Sequence, residues 1–133
     1  MTRSVNEPGS TPSKRDQGLE TIGQVYGAAL ATALPAPGQS RFIDFMLETL
    51  FADLWACETL SFKERRLLLL GVIAAQGEEG VFRIQAKAAL ERGEFTAAQL
   101  QEAMVFLTQY VGYPRGSRLN SALAEVLKSA AAP

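Results

Sequence analysis

At 133 residues, 47% apolar and 20% charged, the chain has the size and composition of one soluble globular domain with a hydrophobic core. Thirteen basic against fourteen acidic residues leave a net charge of −1, too weak a field to attract nucleic acid or an anionic membrane. The chain has no histidine and one cysteine, Cys57, so an intramolecular disulfide is excluded, a metal centre is not expected, and a reducing, cytoplasmic setting fits best.

Residues 1–17 are rich in Ser, Pro, Gly, Lys and Asp, with Val5 the only large apolar side chain after Met1. Such a segment buries too little surface to offset its ordering entropy and reads as a flexible tail, or as one that orders against a neighbouring subunit. It has no apolar core of the kind a secretory signal needs. Nowhere do about 18 apolar residues run together, so no membrane span is expected.

The folded domain is expected over 18–133 and is helical throughout. Leu19, Ile22, Tyr26 and Leu30 recur at spacings of three and four, the stripe of an amphipathic helix. Pro35 and Pro37 break it. Phe42, Phe45, Met46, Thr49, Leu50, Asp53 and Leu54 then share one broad face, widened by Phe51 and Trp55. Ser61 and Glu64 form a capping box at the start of a third helix. That helix is apolar on nearly every side from Leu67 on, which predicts a place in the middle of a bundle. Gly77 and Gly80 frame the next break, and a helix over 81–92 closes at Gly93. Thr96 and Gln99 make a second capping box, ahead of a helix carrying Leu100, Met104, Leu107 and Val111. Gly112 and Pro114 end it, and Pro114 can open a last helix lined by Leu119, Leu123, Val126 and Leu127. The fold class is all-α, a bundle of five to six helices.

Several elements, in this order and spacing, resemble the carboxymuconolactone decarboxylase-like family, which includes the AhpD-like peroxidases. They are Asp53-Leu54-Trp55, Glu64-Arg65-Arg66 before a long apolar helix, Ala88-Ala89-Leu90 followed by Arg92-Gly93 and Thr96, and Tyr110-x-Gly112-x-Pro114. The resemblance spans roughly 42–127. It implies an AhpD-like helical bundle, homotrimers or homohexamers with pockets near subunit contacts, and chemistry on small organic metabolites without a cofactor. The decarboxylase branch carries a histidine where this chain has Gln85, and a glutamate where it has Val81. The peroxidase branch uses a Cys-x-x-Cys pair, and Cys57 has no partner. Where the family often has an asparagine after the proline, this chain has Arg118. Gln85 cannot shuttle a proton near neutral pH as histidine does, but it can orient a carbonyl or carboxylate.

Gln85 is therefore the first candidate site residue, set against a polar side chain bonded locally on a half-exposed helix. Arg83 and Lys87 flank it at spacings of two. They are expected about 200° apart, on opposite sides of the helix, and so unable to share a pocket. Arg83 also has Glu79 four residues earlier as a helix-stabilising partner, and Lys87 suits a solvated face. Arg115 and Arg118, one turn apart at the start of the last helix, suit an organic anion, against surface charge or a subunit contact. Trp55 and Tyr113 are candidate aromatic walls, or plain core and interface; Tyr110 reads as packing. Asp53 and Glu58 are the carboxylates available as general bases if buried; otherwise they are surface charge. Cys57, with no histidine to activate it, reads as a small buried apolar group.

The expected function is binding of a small organic acid, lactone or aromatic-derived metabolite in an apolar pocket. Any conversion would be a decarboxylation, isomerisation or ring closure driven by electrostatic placement. The alternative is a non-catalytic binding or structural oligomer. Disulfide-based peroxide reduction stands far behind both, for want of a resolving cysteine.

Overall fold

A computed structural model of the chain describes residues 11–132. Most of the expected tail, residues 1–10, lies outside them. The described residues are helical and contain no strand: α1 (Lys14–Tyr26), α2 (Ala28–Ala33), α3 (Arg41–Phe45) continuing into a π-helical segment (Met46–Trp55), then α4 (Phe62–Gln76), α5 (Glu79–Glu91), α6 (Ala97–Val111) and α7 (Tyr113–Ala131). The region expected as one domain divides into two compact units, one ending at Leu60 and one beginning at Ser61.

In the first unit, α1 starts at Lys14 rather than after residue 17, because Ser13 caps it: the Ser13 hydroxyl accepts from the Asp16 amide at 3.0 Å. The first predicted helix becomes two, since Gly27 adopts a φ of 108° and interrupts the stripe between Tyr26 and Leu30. α1 packs closely on the π-helical segment at Gly18, which has no Cβ to hold the two backbones apart. The core between them is Ile22, Val25, Leu47, Phe51, Ala52 and Trp55.

The broad face read from Phe42 to Leu54 does not point inward. Leu47, Phe51 and Trp55, four residues apart, make the buried stripe, while Phe42, Phe45, Leu50 and Leu54 are exposed, Phe42 at 79%. The wider turn of a π-helix, with bonds five residues apart, changes which residues share a face. Leu50 and Leu54 of the face read from the sequence thus turn outward, while Phe51 and Trp55, read at its edge, turn inward.

Arg15 braces this unit from α1. Its Nε donates to Asp44 Oδ1 at 2.7 Å and its Nη2 to the Pro35 carbonyl at 2.6 Å, while the Gly38 amide donates to the other Asp44 oxygen at 3.0 Å. The Arg15 hydrogen bond holds the Asp44 carboxyl below its usual pKa, helped by the Gly38 amide and opposed by partial desolvation. In the second unit, the Ser61 amide and hydroxyl likewise lower Glu64. A carboxylate with a depressed folded pKa binds fewer protons folded than unfolded, so it stabilises above its unfolded pKa and that contribution is lost as pH falls through the folded value. Melting temperature should fall below about pH 4.5, and Asp44→Asn should flatten the acid limb while lowering the neutral plateau. Parallel acid limbs in wild type and variant, measured by circular dichroism melts, would show that Asp44 carries none of this.

The second unit holds the elements whose signals are local. Both capping boxes form, Ser61 with Glu64 and Thr96 with Gln99. Gly77 and Gly93 take left-handed conformations at φ 70° and 68°, ending α4 and α5. Gly80 frames no break; it sits in the first turn of α5. Pro114 lies in the first turn of α7. The core is Leu70, Ile73, Ala74, Phe82, Ala86, Ala89, Leu100, Met104, Leu119, Ala122 and Leu123. α4 is not apolar-buried on every side. It turns Leu70, Ile73 and Ala74 inward and leaves Leu67, Leu68 and Val72 exposed. Among the described residues no helix is long and apolar enough to cross a membrane.

Candidate functional site

Gln85 lies on α5, buried at 3% exposure, on the inward face with Phe82, Ala86 and Ala89. Its Oε1 accepts from Arg66 Nη1 at 2.8 Å. Arg66, on α4, has no exposed surface at all. Its Nε and Nη2 donate to Glu94 Oε1 at 2.8 Å and Oε2 at 3.1 Å, a bidentate fork on a carboxylate whose side chain is 8% exposed. Glu94 follows Gly93 in the turn between α5 and α6, and the left-handed glycine reverses the chain there. Three elements thus bring a cation, an anion and an amide together inside an apolar core. Burying Arg66 without Glu94 would cost far more than the pair does.

The sequence reading passed over Arg66 and Glu94. A signal was present. Arg66 stands four residues before Leu70 and seven before Ile73, on the core stripe of α4. A charge on that stripe needs a buried counter-charge, but which one is decided by tertiary contact.

The other candidates sit elsewhere. Arg115 and Arg118 gather around Gly77, each with side-chain atoms 3.6 Å from where a Cβ on that glycine would lie. Arg118 Nε pairs with Glu79 Oε1 at 3.2 Å and Nη1 donates to the Pro114 carbonyl at 3.2 Å; its side chain is about half exposed. Its carboxylate partner is therefore one of the chain's own. Arg115 is exposed. Tyr113 is also exposed, with its hydroxyl accepting from Gln109 Nε2 at 3.2 Å, and it lines a cleft of about 200 Å³ with Thr108, Ser117 and Asn120. Tyr110, read as packing, is instead exposed and rests on Phe106.

Trp55, Asp53 and Glu58 belong to the first unit. Trp55 is buried, stacked on Phe51 with Tyr26 edge-on to both rings. Asp53 is exposed and paired with Lys14; Glu58 is exposed. Neither has the burial that a general base at neutral pH would need. Cys57 is exposed rather than buried, with its Sγ 3.4 Å from the Thr59 hydroxyl. Among the described residues no group of three or more Cys, Asp or Glu side chains is placed to hold a metal ion.

Arg83 and Lys87 are not on opposite sides of α5. Four residues apart, they differ by about 40° around the helix, and each instead lies about 200° from Gln85. Both line a single cleft of about 520 Å³ between α5 and α7. Arg83 pairs there with Glu125 of α7, not with Glu79.

Comparison with known families matches residues 41–125 to the profile described as the carboxymuconolactone decarboxylase family. Neither the curated proteins nor the solved structures give a match.

Proposed function

Because this chain belongs to the carboxymuconolactone decarboxylase family, we propose that it binds a small organic acid, lactone or aromatic-derived metabolite. The observation that carries this reading is the Arg66–Gln85–Glu94 cluster, a fixed cation and amide in an apolar interior. A carboxylate or carbonyl that displaced the Gln85 oxygen would meet a guanidinium already held in place by Glu94. Arg118 and Arg115 are the further anion-binding groups and Tyr113 the proposed aromatic wall; Trp55 belongs to the core of the first unit. Conversion of the ligand would be a cofactor-free decarboxylation, isomerisation or ring closure driven by electrostatic placement, without Asp53 or Glu58 as the base, since both are exposed. The exposed Phe42, Leu54, Leu68 and Val72 support assembly into a homotrimer or homohexamer that covers them.

The second reading is a non-catalytic binding or structural oligomer. It is favoured by the saturation of the cluster: Arg66 already engages the Gln85 oxygen and both Glu94 oxygens.

A thermal-shift screen against small carboxylic acids, lactones and aromatic metabolites, with Arg118→Ala alongside, tests the proposal. Binding at a hundred times Kd adds about 2.7 kcal/mol of stability, an easily read rise in melting temperature. A shift abolished in Arg118→Ala, with turnover of the same compound, is the expected result. A shift without turnover supports the second reading, and no shift across the panel overturns ligand binding.

A further inference from the structure

No charged side chain lines the cleft of about 200 Å³ between α6 and α7. Met104, Thr108 and Gly116, all buried, form its floor. Hydroxyl and amide groups of Gln109, Tyr113, Ser117 and Asn120 stand around it. We propose that this cleft is a ligand site for a neutral, multiply hydroxylated ring, the chemistry of a monosaccharide or cyclic polyol.

The floor is fixed by a close approach of the two helices. A Cβ on Gly116 would lie 2.4 Å from the Thr108 hydroxyl oxygen and 2.5 Å from its methyl carbon, so glycine is what lets α7 sit this near α6. The Thr108 hydroxyl is itself spent on its own helix, donating to the Met104 carbonyl at 2.7 Å. The space is smaller than the roughly 300–1,000 Å³ of sites for drug-sized ligands, and suits a single ring.

The polar groups above the floor are arranged for several hydroxyls at once. Tyr113, Ser117 and Asn120 recur at spacings of four and three, so they share one face of α7. Gln109 Nε2 donates to the Val105 carbonyl and to the Tyr113 oxygen, both at 3.2 Å. The second bond positions Tyr113 at the cleft and leaves its O–H proton to donate. Ser117 and Asn120 make no side-chain hydrogen bond among the described residues. The Asn120 amide offers a donor and an acceptor side by side, the complement of two neighbouring ring hydroxyls. Val105 and the Tyr113 ring, both exposed, supply apolar surface for the C–H face of the same ligand.

The lack of charge is the selective feature. An ionised ligand loses hydration here and gains no counter-charge, whereas a hydroxyl exchanges bonds to water for bonds to hydroxyl and amide groups. The neighbouring cations of α7 are engaged elsewhere: Arg118 pairs with Glu79, and Arg115 and Arg118 both lie against Gly77. This site stands apart from the reading at Gln85. The two share only Tyr113, and Asn120 separates them in the test.

Titration of methyl β-glucoside into the full chain, followed by amide and side-chain NMR shifts, tests the proposal; a Kd on the order of 1 mM is expected for so small a ligand. Shifts should centre on Gly116, Ser117 and Asn120. Asn120→Ala and Tyr113→Ala, changes at exposed positions, should each weaken binding by about threefold or more. Lys87→Ala, on α5, should leave it unchanged. Glucuronate, a sugar ring with a carboxylate, and cyclohexanol, a ring with one hydroxyl, should each bind at least about threefold more weakly than the glucoside. Equal or tighter binding of either comparator, full binding in Asn120→Ala, or no shift at Asn120 overturns the proposal. Failure here leaves the Gln85 reading standing, because that reading is lost only if its own screen finds no ligand.

Discussion

Glu94→Ala is expected to destabilise the protein by roughly 3–5 kcal/mol, a fall in melting temperature on the order of 10–20 °C for a chain of this size. The reason is the guanidinium it leaves behind. Arg66 has no exposed surface and spends two of its nitrogens on Glu94. Removing the carboxylate leaves that charge buried without Glu94, beside the neutral Gln85 amide oxygen at 2.8 Å. The argument also predicts a rescue. Replacing the whole cluster by apolar side chains of similar size, as in Arg66→Met with Gln85→Leu and Glu94→Leu, should recover most of the loss, since buried ion pairs are often no more stabilising than well-packed hydrophobes. Chemical denaturation of the single and triple variants measures both. A loss under about 1 kcal/mol in Glu94→Ala would mean that water reaches Arg66 and the cluster is not a dry core.

Gly18→Ala should be as damaging to the first unit. A Cβ built on Gly18 lies 1.9 Å from the Leu47 carbonyl oxygen, 2.5 Å from its carbon and 2.9 Å from its Cα. These are backbone atoms, and no side-chain rotation can clear them. α1 must move off the π-helical segment, and Ile22 and Val25 lose their contacts with it. The expected cost is at least about 3 kcal/mol, and the gain in helix propensity from Gly to Ala, about 1 kcal/mol, offsets only part of it. The chain has a single tryptophan, Trp55, buried in this unit, so its fluorescence reports the damage directly. Emission should shift to the red, while the far-ultraviolet signal of the helices after Ser61 largely persists. An unchanged emission maximum and melting temperature would refute the close packing of α1 on the segment.

What could be read from the sequence was whatever is decided within a few residues. Capping boxes at Ser61 and Thr96, a break at Gly77, a left-handed Gly93 and a proline opening the last helix all follow from local hydrogen bonding and backbone sterics, and each is present. Where the outcome rests on a distant partner, the reading missed. The inward side of the segment after Phe45 is the one packed against α1, a partner remote in sequence, and the local π-helical bonding was announced by no residue pattern either. The burial of Arg66 depends on Glu94, 28 residues away. Arg83 and Lys87 were separated by an angle that belongs to each of them and Gln85, not to the pair, and so the cleft they share went unseen. Gln85 was singled out from a resemblance; that its oxygen faces a guanidinium was not legible from its neighbours on α5.

The proposed function requires a ligand to reach Gln85, which Arg66 holds at 2.8 Å inside the core. The side-chain ¹⁵N spectrum of the Arg66 Nε–H and the Gln85 amide, recorded free and with mixtures of carboxylic acids, lactones and aromatic metabolites, tests this most directly. The prediction is a pair of signals that exchange slowly with water and move when a bound member of the mixture is present. Signals that exchange at the rate of exposed side chains, or that stay fixed under every mixture, would contradict it.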